Sequence, residues 1–290
     1  MSRRPWWRRL GHRALLVLAT VYCVFPIYFM LVQSLKTAQE DVFGNPLIVV
    51  NPTFENFEEL FEQRGETRGF VGRALRRSYP VLDWLENTIV VFAGSVTVTL
   101  VASVLAAYAL GRLQPPGFRW WRRAIFASYV IPHTILFVPL YQVIITLHLE
   151  NNLLALLVVY PTLALPFCVW ILSAYFQQLP REVEESALVE GAGRAKAFFQ
   201  ILLPMSRPVM VAAGIFTIGT IASDFTLASV FLLDAHSKTI PAGLGTMEVA
   251  LDELLAVAGI NLMAIPVVLL CAVFARGYVR GLTAAMVEGA

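Results

Sequence analysis

Four carboxylates, Glu182, Glu184, Glu185 and Glu190, crowd the stretch REVEESALVEGAGRAKAFFQILLP, which runs from Arg181 to Pro204 between two apolar segments. Carboxylates gathered in this way can exchange protons or hold a metal, but both kinds of chemistry need histidines, cysteines or further acids to converge with them. The sequence supplies no such company. His12, His133, His148 and His236 are scattered, and no Ser-His-Asp order occurs. Cys23, Cys168 and Cys271 each fall inside an apolar run, with no CxxC and no close pair, so they read as buried free thiols. Lysines occur only at 36, 196 and 238, and none closes a G-x-x-x-x-G-K-[ST] phosphate cradle. The chain is therefore expected to carry no catalytic residue, metal or cofactor of its own.

The elements around these residues are those of a membrane protein. The 290 residues are 58% hydrophobic and 14% charged, against about 25% charged in soluble domains. Six stretches are long enough, or nearly so, to cross a bilayer as helices: 14–35, 87–111, 124–147, 153–180, 209–233 and 254–275. An all-α polytopic fold with six transmembrane helices follows. The charged start MSRRPWWRRLGHR resembles that of a signal peptide. The apolar stretch behind it is long and lacks a small-x-small end, so an uncleaved first span fits better. With the N-terminus inside, the tail 1–13, the short connections 112–123 and 181–208, and the tail 276–290 hold 15 of the 22 basic residues. Both termini and the carboxylate-rich segment are then cytoplasmic. A net charge of +2 gives no reason to expect a nucleic-acid partner. The large outer loop 36–86 contains NPTFENFEELF, in which Phe54, Phe57, Leu60 and Phe61 fall on roughly one helical face. Asn87 is expected to cap the second span.

Within 181–208, Pro180 and the acids favour a helix start, so that Glu182 and Glu184 only need to serve the macrodipole there. Gly191 and Gly193 end or bend that helix. A second short helix runs to Pro204, and the small residues Ser186, Ala187, Gly191 and Ala192 let another surface approach closely. A solvated amphipathic loop is the plain alternative. The spacing, however, resembles the "EAA" signature of the membrane subunits of binding-protein-dependent ABC importers. Glu185-Ser186-Ala187 is followed by three residues and Gly191; nine residues later come Ile201 and then Leu203-Pro204. Ser186 replaces the usual first alanine, and Glu190 stands where the sugar branch usually has aspartate. The chain is similar to the six-span, maltose-permease-like type of the carbohydrate branch over nearly its whole length. ENTIVV, AAYALGRLQPPG, VPLYQVIITLHLENN, LALPFCVWILSAYFQQLP and the ending VRGLTAAMVEGA are in the expected order. RGETRGFVGRALRRSYPVLD lengthens the outer loop, and SDF at 223–225 departs from the family's Trp-Asn-acid-Phe.

The resemblance implies a transmembrane domain over 14–290 and a permease subunit in a prokaryotic cell membrane. It would form half of a path for a sugar or sugar-like solute and move it by alternating access. Its partners would be a second homologous permease subunit, two ATPase subunits carrying ATP-Mg, and an extracytoplasmic solute-binding protein, all within or against the lipid bilayer. Carried over by position, Glu185 would be the polar anchor on the ATPase and Gly191 the corner of the coupling helices. Ser186 and Ala187 complete the signature, Phe198, Ile201 and Leu202 would supply apolar contact, and Leu203-Pro204 would close the segment. In the spans, Asp224 is the one formal charge. An intramembrane carboxylate costs at least about 2.5 kcal/mol, so it faces the solute path or an internal hydrogen bond. Ser223 and Thr226 would share its polar face. His133 and Thr134 interrupt the third span after Pro132, and Tyr141 and Gln142 lie near that span's outer end. These are residue types that hold sugars by ring faces and hydroxyl partners, and each has a packing role as its alternative. A stand-alone ion-coupled carrier is the competing function, for which one aspartate is few. A membrane-embedded enzyme would need converging ligands, which are absent.

Overall fold

The computed structural model describes residues 6–61, 65–67, 75–77, 79–247, 253–265 and 267–268. In chain order the helices are α1 (Trp6–Ser34), α2 (Ala38–Phe43), α3 (Glu55–Phe61), α4 (Val81–Tyr108), α5 (Phe118–Tyr129), α6 (His133–Thr146), α7 (Leu153–Gln178), α8 (Glu182–Val189), α9 (Arg194–Ala197), α10 (Leu203–Met205), α11 (Arg207–Ala222), α12 (Thr226–Phe231), α13 (Ile240–Leu244) and α14 (Glu253–Ile265). A two-stranded antiparallel hairpin, β1 (Gly65–Thr67) and β2 (Leu75–Arg77), pairs Gly65 with Arg77 in the lengthened loop. The described elements are otherwise helical, in keeping with the expected all-α class. Wide π-turns continue α4 over Ala109–Leu113 and join α9 to α10 over Phe198–Leu202.

By length and composition, Arg13–Ser34, Val81–Leu113 and Leu153–Gln178 can each cross a membrane. Residues 194–205 and 207–222 form a further apolar pair bent by 70°. Two other expected spans are interrupted. The stretch 124–147 is not one helix: it breaks at Val130–Pro132, where proline lacks an N–H and disfavours helical backbone in the residue before it. The stretch 209–233 breaks at Ser223–Phe225. The last expected span is described over Glu253–Ile265 and residues 267–268. The remainder, with Cys271 and the ending VRGLTAAMVEGA, lies outside the described residues.

The chain divides into two compact units. The first comprises Met1–Val81 and Thr246–Ala264. In it α1 leaves Leu15, Leu16, Leu18 and Tyr22 more than half exposed, a surface suited to lipid rather than water. Cys23 on the same helix is exposed, not buried as expected. The buried residues of α3 are Asn56 and Leu60, while Phe54 and Phe61 stay exposed. The Asn56 amide explains the difference: it donates to the carbonyls of Ser34 at 2.9 Å and Lys36 at 2.8 Å, which α1 leaves unpaired as it ends. Asn261 of α14 likewise donates to Met30 O at 2.9 Å.

The second unit comprises Leu82–Gly245 and Ile265–Ala290. Asn152 caps α7 by accepting from Leu154 N at 2.9 Å. One apolar cluster gathers Val91, Leu156, Tyr160, Leu163, Ile218, Phe231 and Leu232. Another gathers Val104, Cys168, Leu172, Phe176, Phe198, Leu202 and Ala213. Asn87 lies inside α4 rather than capping it, because the helix starts earlier, at Val81. Its amide donates to the carbonyls of His236 at 2.8 Å and Lys238 at 2.9 Å.

Candidate functional site

The carboxylate-rich segment folds as two short helical arms around a glycine corner. Glu182, Glu184 and Glu185 occupy the first turn of α8, where the helix dipole favours negative charge. The helix stops at Val189, and Gly191 turns the chain with φ +87. A Cβ there would meet nothing, so the backbone angle alone calls for glycine. Ala192 N donates to Ala187 O at 2.9 Å across the corner. The second arm, α9 to α10, meets α11 at Ser206 with the 70° bend. Ser206 stiffens that joint: its hydroxyl donates to Leu202 O at 2.6 Å and its N–H to the same carbonyl at 3.0 Å.

The side chains divide into an inner and an outer set. Phe198 and Leu202 are buried in the unit's own core, with the Phe198 ring 4.5 Å from Tyr108 and 6.5 Å from Phe176. Ala187 is buried too, and Ile201, Leu203 and Pro204 are half-buried. Glu185, Ser186 and Gly191 are exposed, as are Val189 at 89% and Phe199 at 60%. The most exposed large apolar groups on the segment are therefore Val189 and Phe199, which sequence reasoning passed over. Their signal was periodicity: each points away from the buried stripe set by Ala187 or Phe198.

Glu184 behaves differently from its neighbours. Its Oε2 accepts from Arg112 Nε at 3.0 Å, and its Oε1 accepts from the Tyr108 hydroxyl at 3.2 Å. It does more than serve the start of α8, as the sequence alone had it.

Asp224 stands at the break between α11 and α12. Its carboxylate accepts from the Tyr160 hydroxyl at 2.9 Å, from Leu227 N at 3.3 Å and from Ala228 N at 3.1 Å. Of the two readings open for it, the internal hydrogen bond is what this geometry displays, and the same carboxylate accepts from the first-turn N–H groups of α12. Ser223 and Thr226 on either side are exposed. The Tyr141 ring stacks 6.1 Å from Phe231 and 6.4 Å from Phe137, and Gln142 is exposed. His133 and Thr134 open α6 after Pro132. Among the described residues, no three His, Cys, Asp or Glu side chains are grouped to hold a metal.

The family described as binding-protein-dependent transport system inner membrane component matches residues 99–284, which include both arms, the glycine corner and the Asp224 break. The chain belongs to this family. As such a permease it is a transport subunit, and ATP hydrolysis in these systems falls to a separate subunit. The permease is 28% identical over 284 residues to the inner membrane ABC transporter permease protein YcjP of Escherichia coli, covering 97% of each chain. It is 30% identical over 281 residues to the trehalose/maltose transport system permease protein MalG of Thermococcus litoralis, covering 94% of each. It is 26% identical over 290 residues to the diacetylchitobiose uptake permease DasC of Streptomyces coelicolor, covering 99% of this chain and 100% of that one. Among solved structures, a bacterial ABC transporter involved in import of the acidic polysaccharide alginate shares the fold, with a TM-score of 0.74 at 17% identity over 95% of this chain and 98% of that one.

Proposed function

We propose that this permease forms one half of the membrane path for a sugar or sugar-like solute, delivered by an extracytoplasmic binding protein and driven by two ATPase subunits docked beneath. A second homologous permease subunit completes the path. The observation that carries the reading is the α8–α10 corner: Glu185, Ser186, Val189 and Phe199 are exposed on a segment whose inner side is buried and hydrogen-bonded. That is the form of a docking element. The sugar class is supported by relatives whose names record trehalose, maltose and diacetylchitobiose.

In this reading the transmembrane domain is 14–290 and has six spans: α1, α4, the broken pair α5–α6, α7, the broken pair α11–α12, and a last span beginning with α14. Both termini lie on the cytoplasmic side with α8–α10. When ATP closes the ATPase pair, the docked arms move and the spans exchange inward-open for outward-open states. Ser223, Thr226, His133, Tyr141 and Gln142 are the path candidates, and Asp224 contributes by holding the break that displays two of them. The test is Glu185→Ala in the assembled transporter. Uptake and binding-protein-stimulated hydrolysis should both fall while the permease still reaches the membrane. Unchanged uptake would remove the docking role. A binding assay on the cognate extracytoplasmic protein, across mono-, di- and oligosaccharides, decides the solute.

A further inference from the structure

Arg112 stands in the π-turn that ends α4, just before Gln114 leaves the helix with left-handed backbone (φ 47). From there its guanidinium reaches four acceptors, the longest contact running from Nη1 to Phe176 O of α7 at 3.5 Å. Nε donates to Glu184 Oε2 on α8 at 3.0 Å; Nη1 donates to Leu179 O at 2.8 Å and Nη2 to Pro180 O at 2.7 Å, just past the end of α7. Phe176 O is one of the last-turn carbonyls that a helix leaves unpaired, and a fixed cation at this end suits them. Tyr108, also on α4, holds the other Glu184 oxygen at 3.2 Å. The pair is dry: the Arg112 side chain is 5% exposed and that of Glu184 14%. Gly111 lets α4 come this close to α7, since an added Cβ would lie 2.8 Å from Ser173 O and 3.0 Å from Phe176 Cβ.

We infer that Arg112, Tyr108 and Glu184 form a strut that passes movement of α8 to α4 and α7 during transport. Glu184 is a positioning residue acting through Arg112, while its neighbour Glu185 faces outward. The physical reason lies in the connection the strut bypasses. Only Leu179, Pro180 and Arg181 join α7 to α8, and Leu179 has extended backbone (ψ 136). A push on an eight-residue helix held by that link alone would be absorbed by rotation about it. Arg112 bridges the link with a rigid planar fork, and water is largely absent to weaken the charge pair. The push then reaches two spans at once.

The strut rests on the proposed docking of α8, and the test separates the two. Cys23 is replaced by serine, and spin labels are placed at Val189→Cys on α8 and Leu82→Cys at the far end of α4; both native side chains are exposed. In the assembled transporter the label-to-label distance should stay constant when Mg-ATP is added, because the strut makes the two ends one body. In Arg112→Ala or Glu184→Ala the distance should shift and broaden on Mg-ATP while the ATPase subunits stay bound, and the double variant should do no more than the worse single one. Arg112→Lys and Glu184→Gln, which keep a weaker link, should fall between and serve if an alanine variant does not assemble. A distance that moves in the parent, or that stays fixed in the assembled strut variants, overturns the proposal. Glu185→Ala with normal ATPase association sinks the docking reading alone, since the distance measurement does not depend on which surface of α8 is pushed.

Discussion

Asp224 is the residue for which the sequence left two readings open, a solute ligand or an internal hydrogen bond. A lone carboxylate in an apolar run looks like a solute ligand when only its neighbours in sequence are visible. Its hydroxyl donor, Tyr160, lies 64 residues away and is 1% exposed, so nothing local announced it. Asp224→Ala would leave that buried hydroxyl and two α12 N–H groups without their acceptor, at a cost of about 1–3 kcal/mol. Asp224→Asn keeps an acceptor and should cost less. Thermal unfolding in detergent measures both, and an Asp224→Ala variant with parental stability but lost uptake would return the residue to the path. Glu184 repeats the lesson, its partner Arg112 being 72 residues distant. Gly191 is the opposite case: the need for a left-handed corner is a local property and was legible in the sequence.

At the scale of elements, apolar length predicted where helices would be and not how far each continues. Proline made the break after α5 legible. The break at Ser223–Phe225, which carries no proline, was not. The connection between α12 and α13 also owes its place to α4. Trp84 Nε1 donates to Ala235 O at 2.7 Å, Asn87 holds the carbonyls of His236 and Lys238, and His236 Nδ1–H donates to Asp83 Oδ2 at 2.6 Å. The hydrogen bond to Asp83 raises the His236 pKa, opposed by desolvation and supported by the charges of Asp83 and Asp234. A raised folded pKa means that the added stability is fully present below the ordinary histidine value, about 6.5. It is lost as pH rises through the higher folded value. Proteolysis of residues 234–238 should therefore be slower at mildly acidic pH than above neutrality, and Asp83→Asn should abolish that difference. The two main-chain anchors from Asn87 are independent of pH, so the connection should loosen rather than detach.

For the whole molecule, composition revealed the membrane and left the company unread. Exposed apolar side chains run along α1, α4 and α6, from Leu15 through Val101 to Val138, and one sequence cannot divide them between lipid and a neighbouring subunit. The corner proposed to dock on the ATPase was legible only through its spacing, because a docking surface and a solvated loop share the same polarity. The division of labour does make a prediction at this scale. The purified chain, without ATPase subunits, should hydrolyse no ATP above a buffer control, and restoring those subunits should restore hydrolysis.

The elbow at Ser206 has a mechanical ratio. Its lower arm, from Arg194 to Met205, holds 12 residues, and its upper arm, α11, holds 16. At about 1.5 Å per residue the upper arm is roughly 24 Å long. If the joint, where the Ser206 hydroxyl and N–H both return to Leu202 O, turns as one piece, a tilt of about 10° in the lower arm would sweep the far end of α11 through roughly 4 Å. That far end is Ala222, the last residue before the break that Asp224 and Tyr160 secure. A small angular displacement of the lower arm would thereby be delivered as a side-chain-sized displacement beside the Asp224 break.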